Sequence, residues 1–551
     1  MIEPQEPAVQ TLDPVTVEVI GSAISSIAEE MGETLVRASY STNIKERRDC
    51  STALFDAQGR TLAQAEHIPI HLGSLMGIIE EVLRRYPVAQ IAEGDAFVGN
   101  DAYTGGGTHL PDIVIASPIF VAEQLVAWAT NLAHHADFAD RGHAHIYQEG
   151  LRIPPVRLYR QGELQSDILE MILLNCQVPR ERLNDLRAQM AANRLGVRRF
   201  QDLCARYGSD LVLQAGDALL DYAERRTRAG IATIPDGTYA FEDRFDTEEL
   251  DEELVFRVVI TVQGDEMWLS FDSPPQVRAG LNVVWTALLA TVYYAVKTIV
   301  DPDIPPNAGL YRPIHVSAPP GTVLNCTAPA AVYSRSQTCQ RIVDLIHGAL
   351  APAIPERIIA ACNGANTSIT FSGVNPRTGE YYVYLETLGG GFGARATKDG
   401  LDGVQVHVTN TSNLPVECLE PEHPLVVERY ELVDDSGGPG TWRGGMGIRR
   451  TIRVVGHEAE LSVSTTRRLS APWGLFGGRE GGCAAVEMDA GAEVPVRGQC
   501  HLRPGQAVSV VTPGAGGYGP PGQRARELVR RDLREGKITE RTAREVYGFD
   551  G

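Results

Sequence analysis

Lysine is scarce in this chain, which has Lys45, Lys297, Lys398 and Lys537 and no others, against 70 aspartates and glutamates. The formal charge of -20 is a field that repels phosphate backbones, so a general nucleic-acid surface is excluded. Uninterrupted apolar runs of membrane length are also missing. The longest candidate, 281–296, is broken by polar residues such as Asn282 and Thr286 and reads as a core helix, so no membrane partner is expected. The first residues lack the basic start and apolar centre of a signal peptide. Nine cysteines, an odd count without a Cys-x-x-Cys pair, exclude an obvious disulfide framework and suit reduced thiols, so a cytoplasmic location is expected. No Gly-x-x-x-x-Gly-Lys-Ser/Thr loop occurs, so a P-loop nucleotide site is not expected on this chain.

Two short clusters are present instead. Thr108-His109-Leu110-Pro111-Asp112 follows the turn Gly105-Gly106-Gly107, and His134-His135-Ala136-Asp137 comes about one strand-loop-strand later. Three imidazoles and two carboxylates in an otherwise apolar stretch are how a divalent-metal site is commonly written. With no cysteine near them, the shell would be nitrogen and oxygen, suited to zinc, manganese or iron. Residues 113–121 and 125–129 read as buried strands joined by a short polar turn at Glu123-Gln124, and such a hairpin returns His109 and His134 to one end of a sheet. Adjacent residues on a strand face opposite ways, so one of His134 and His135 is expected to face the site.

With 43% hydrophobic residues the chain can bury a sizeable core, and its length favours more than one domain. Asp13-Pro14 opens a long amphipathic helix. A hairpin around Gly59 and a helix over 71–86 follow. Residues 178–230 read as continuously helical up to the turn Ile234-Pro235-Asp236-Gly237. Strands are predicted over 238–273, with the acidic run 246–253 as a solvated tip, then helices over 282–300 and 336–350. Glycine-rich strands occupy 369–512, and two short helices 527–547. The expectation is an α+β, multi-domain protein with mixed sheets, long helices and a glycine-rich β-rich C-terminal part. Its divisions are 1–235 (α+β, carrying the metal site), 236–520 (β-rich with packed helices) and 521–551 (a helical tail). Gly389-Gly390-Gly391-Phe392-Gly393 reads as either an anion-binding run of amides or a tight turn.

Several segments carry a resemblance. Arg47-Arg48-Asp49-Cys50-Ser51, His67 to Ser74, Asn100 to Asp112, His134 to Asp137 and Tyr147 to Pro155 all resemble the hydantoinase B/5-oxoprolinase family. So do Asp301 to Gly309, Gly389 to Gly403, Thr409 to Thr411, Glu417 to Tyr430 and Thr512 to Tyr518, so that almost the whole chain is covered. The resemblance implies the metal-containing B-type subunit of an ATP-dependent cyclic amide hydrolase, opening a hydantoin, 5-oxoproline or lactam ring. The implied partner is an A-type ATP-binding subunit that phosphorylates the substrate and carries ATP and Mg. The alternative is a subunit of an ATP-dependent ketone carboxylase. Carried over by motif, the metal residues are Asp49, His109, Asp112 and His134, with Asp101 or His135 accepting a proton from water. Asp49 enters through the resemblance alone, and by itself it reads equally as a turn carboxylate paired with Arg47 or Arg48. Two departures concern the substrate: the loop 138–147 is shorter than the family's usual one, and Ser334 to Gln340 is less glycine-rich. Arg335 there is either an anion contact or a solvated residue at a helix start.

Overall fold

The alternation of side chains along the N-terminal strands sorts apolar residues onto two faces of one sheet. In the strand Cys50–Asp56, Leu54 faces one layer while Ala53 and Phe55 face the other. In Gln124–His134, Ala127 and Ala129 join Leu54, and Trp128 and Leu132 join Phe55. The computed structural model describes residues 12–550 apart from 66, 139, 248 and 490–499. Its first sheet has seven strands in the order Thr61–Gln64, Cys50–Asp56, Gln124–His134, Asp112–Val121, Ala96–Gly99, Val156–Arg160 and Glu163–Leu164, and neighbours are antiparallel throughout.

One face is covered by the helices Pro14–Ala38, Pro179–Tyr207 and Ser209–Ile231, through Ile20, Ile24, Met31, Phe200 and Val212. The Asp13 carboxylate accepts the Thr16 N–H at 3.1 Å and Pro14 takes the first turn, so this helix starts where expected. The other face is covered by the helix His71–Arg85 through Leu75, Ile78, Ile79 and Val82.

A second sheet, Gly237–Phe245, Leu254–Gln263, Glu266–Asp272 and Ile314–Ser317, packs with the helices Trp285–Val300 and Arg335–Leu350. One hydrophobic cluster runs from Ile68, Leu72 and Leu110 through Ile231 to Phe256, Leu288 and Ile346, so packing is continuous across residue 235. Beyond it, two four-stranded sheets close on each other around Ile369, Phe371, Leu461, Ile452 and Val508. The C-terminal helices Arg526–Arg534 and Glu540–Glu545 pack around Val529, Ile538 and Tyr547. This is the expected α+β architecture, with four sheets. Among the described residues no helix is long and apolar enough to cross a membrane.

Four local expectations are corrected. The helical stretch after residue 178 is two helices, broken at Gly208, whose φ of +86° is left-handed and ends the first. The acidic run is not wholly solvated: Asp246 is buried and accepts the Arg468 and Leu469 amides at 2.8 and 2.9 Å. The turn of the long hairpin is at Ala122-Glu123, both with positive φ, one residue earlier than read. The run Gly389 to Gly393 is neither an anion cradle nor a simple turn but a site of close backbone packing, where a Cβ on Gly393 would lie 1.8 Å from the Ala360 carbonyl oxygen.

Candidate metal centre

The register of the long hairpin builds the centre. Asp112, the first residue of its strand, pairs directly with His134, the last residue of the returning strand. His109 precedes that strand by three residues in a loop whose position is fixed by Gly105. A Cβ there would sit 2.2 Å from the carbonyl oxygen of Gly77 in the helix His71–Arg85, and φ is +74°. Only glycine permits this approach, and it locks the His109 loop to the helix that begins with His71.

His109 Nε2, Asp112 Oδ1 and His134 Nδ1 form a triangle with sides of 2.9, 3.1 and 3.2 Å. His109 Nδ1 lies 2.9 Å from the Tyr333 carbonyl, which can only accept, so the proton sits on Nδ1 and Nε2 presents a lone pair. Burial, reinforced by the Arg335 charge, pushes this imidazole down to about 3, so it is neutral. Burial works to raise the Asp112 carboxyl, but the Arg335 guanidinium bonded to it helps hold it well below the usual range. A bare imidazole nitrogen and a carboxylate oxygen thus face each other at 2.9 Å, and His134 Nε2 is buried with no partner among the described residues. Neighbouring donors that converge in this way, two imidazoles and an ionised carboxylate oxygen, fit a divalent cation.

The surroundings hold these donors in place. Arg335 Nη2 donates to Asp112 Oδ2 at 2.8 Å and Arg335 Nε to Thr108 Oγ1 at 2.9 Å, which leaves Oδ1 to the triangle. His71 Nε2 lies 3.6 Å from Asp49 Oδ1 and 4.0 Å from Asp112 Oδ1, while its Nδ1 shares a hydrogen bond with Ser51 Oγ at 3.0 Å. Asp49 is fixed to the hairpin by its backbone carbonyl, which accepts the His134 amide at 3.0 Å. Neither neighbouring arginine takes its carboxylate: Arg47 is spent on Asn43, Leu385 and Thr387, and Arg48 on Glu33.

A cavity of about 60 Å³ opens beside the triangle, lined by Asp49, His71, His109, His134 and the segment Tyr333 to Gln337. Thus Asp49, His109, Asp112 and His134 share one place. Asp101 and His135 do not reach it. Asp101 is engaged by Arg152 at 2.9 Å and by Thr104 at 2.7 Å. His135 turns to the other side of the strand end, where its Nε2 meets Gln189 Oε1 at 3.2 Å. His71 and Arg335 are the neighbours whose roles spacing alone did not reveal, although both lie in segments that carry the resemblance or depart from it. The short loop 138–147 reaches the centre indirectly, through His143 stacked on Tyr333 at 4.1 Å.

Residues 13–521 match the Hydantoinase B/oxoprolinase family, and the chain belongs to that family. It is 37% identical to an uncharacterised protein of Methanocaldococcus jannaschii, over 97% of this chain and 96% of that one. It is 32% identical to the caprolactamase subunit beta of Pseudomonas jessenii, over 98% and 96%. The crystal structure of the ATP-dependent caprolactamase from Pseudomonas jessenii superposes with a TM-score of 0.90, covering 98% of this chain and 97% of that one. An acetone carboxylase in its nucleotide-free form shares the fold, with a TM-score of 0.88 at 19% identity over 98% and 81% of the two chains.

Proposed function

We propose that this chain is the metal-bearing B-type subunit of an ATP-dependent enzyme that hydrolyses a cyclic amide, working with an A-type subunit that binds ATP. The observation that carries the reading is the convergence of His109, Asp112 and His134, with both histidines on the wall of a cavity, in a chain related to a caprolactamase beta subunit. His109, Asp112 and His134 would hold the cation, with Asp49 beside them. Bound there, it supplies Lewis acidity toward a carbonyl oxygen and toward water.

The chain's own residues set the conditions for that chemistry. Tyr333 fixes the His109 tautomer, and Arg335 and Thr108 orient the Asp112 carboxylate, so no ligand has to reorganise when substrate arrives. Ile68, Ile70 and Leu385 on the cavity wall limit its water content. At about 60 Å³ the space admits the reacting end of a small molecule.

The test is ADP and product formation by this chain reconstituted with its A-type partner, over hydantoins, 5-oxoproline, lactams and ketones, with and without bicarbonate. Ring-opened product without bicarbonate is expected. Turnover of a ketone that requires bicarbonate would replace this reading by the carboxylase.

A further inference from the structure

Beside the metal-ligand triangle, the cavity wall carries hydrogen-bond donors without a partner among the described residues. The helix Arg335–Leu350 begins there, and its N-cap residue Ser334 makes no side-chain capping bond. Ser334 is 6% exposed, and its hydroxyl has no partner among the described residues. The Ser336 amide N–H has no backbone acceptor among the described residues, as expected in the first turn of a helix. Arg335 is 3% exposed and uses Nε and Nη2 on Thr108 and Asp112, while Nη1 has no partner among the described residues. Ser334, Arg335 and Ser336 all line the cavity. A guanidinium edge, a hydroxyl and a free amide at a helix N-terminus are complementary to one chemical group, an oxyanion with several oxygens.

The charge count agrees. Asp49 and Asp112 together offset a divalent cation, which leaves the Arg335 charge uncompensated. The volume of about 60 Å³ is room for a few water-sized groups, enough for one tetrahedral group.

We infer that Ser334, Arg335 and the Ser336 amide form a subsite for an oxyanion carried by the substrate, a phosphoryl or a carboxylate group, next to the metal centre. The inference rests on the proposed function, because it places the anion at the end of the substrate that reacts there.

The experiment is titration calorimetry of the full-length, metal-loaded protein with inorganic phosphate and, separately, with acetate. Metal content is measured on the same samples. Phosphate binding is expected, weakened by about tenfold or more in Arg335→Met and by a few-fold in Ser334→Ala, with metal content unchanged in Ser334→Ala. Acetate binding in place of phosphate, with the same dependence on Arg335 and Ser334, would assign the subsite to a carboxylate. If Arg335→Met loses metal, the Ser334→Ala result decides. Absence of binding by either anion, or binding that neither substitution weakens, overturns the subsite. Retention of metal by His109→Ala would instead overturn the metal centre, so the two failures are separable.

Discussion

Among the described residues there are two buried trios of metal-ligating residue types, and they differ in what their polar atoms face. His109, Asp112 and His134 converge beside a cavity, and Asp344, Cys362 and His407 also lie close together, all three buried. In the second trio the protein already supplies partners. Asp344 Oδ1 takes His407 Nε2 at 2.9 Å and the Cys362 amide at 3.1 Å, and Oδ2 takes Arg467 Nη2 at 2.8 Å. The Cys362 sulfur accepts the Gly393 amide at 3.2 Å. A cation there would have to displace an arginine. In the first trio, a lone pair and a carboxylate oxygen face each other and His134 Nε2 is unsatisfied. Proximity of ligand-type residues is therefore a poor guide by itself, and the discriminating feature is whether their hydrogen bonds close within the protein.

The largest effects separate the two trios by function. His109→Ala and Asp112→Ala are expected to reduce turnover of the reconstituted enzyme to background while the fold, monitored by circular dichroism, persists. Asp344→Ala is expected to do the reverse. It leaves the buried Arg467 charge without its carboxylate, a loss of about 3–5 kcal/mol that denaturant unfolding would register. Unchanged stability in Asp344→Ala would show that the second trio is not the internal ion network described here.

A smaller effect concerns Asp49. As a neighbour of the triangle bound to the His134 backbone, its replacement in Asp49→Asn is expected to weaken metal affinity about 10- to 100-fold, measured by competition with a chelator. An affinity unchanged in Asp49→Asn would leave this carboxylate a structural role only.

The last effect is on pH dependence. Burial opposes the His407 charge, but the Cys362 sulfur and the Asp344 carboxylate outweigh it and push the imidazole up to about 10. An unfolded histidine releases its proton near about 6.5, so between these values the folded state binds more protons. The contribution is complete below about pH 6.5 and is lost as pH rises through about 10. Unfolding free energy should fall across that interval in the native chain, with a shallower slope in His407→Gln. Equal slopes would mean that His407 is not charged in the fold.

Much of the centre was legible because the residues of its triangle are local in sequence. His109 and Asp112 are three residues apart, and the apolar runs on either side of the turn dictate a hairpin whose register returns His134 to Asp112. The period of a strand required only that one of His134 and His135 face the centre, and His134 was named through the resemblance. Arg335 and His71 were not assigned because they reach the site through tertiary packing. One begins a helix that lies more than two hundred residues from Asp112, and the other is placed by the contact of Gly77 with Gly105. Asp101 misled because spacing cannot reveal that Arg152 engages its carboxylate. The break at Gly208 shows the same limit, since an isolated glycine within a helical pattern leaves the period intact and its φ is set only in the fold.

The most direct test is metal stoichiometry, by mass spectrometry, of the purified full chain and of substitutions in both trios. The account predicts about one ion per chain in the native protein, in Cys362→Ser and in His407→Gln, and none in His109→Ala or Asp112→Ala. Full occupancy in His109→Ala and Asp112→Ala, or loss of the ion in Cys362→Ser, would contradict it.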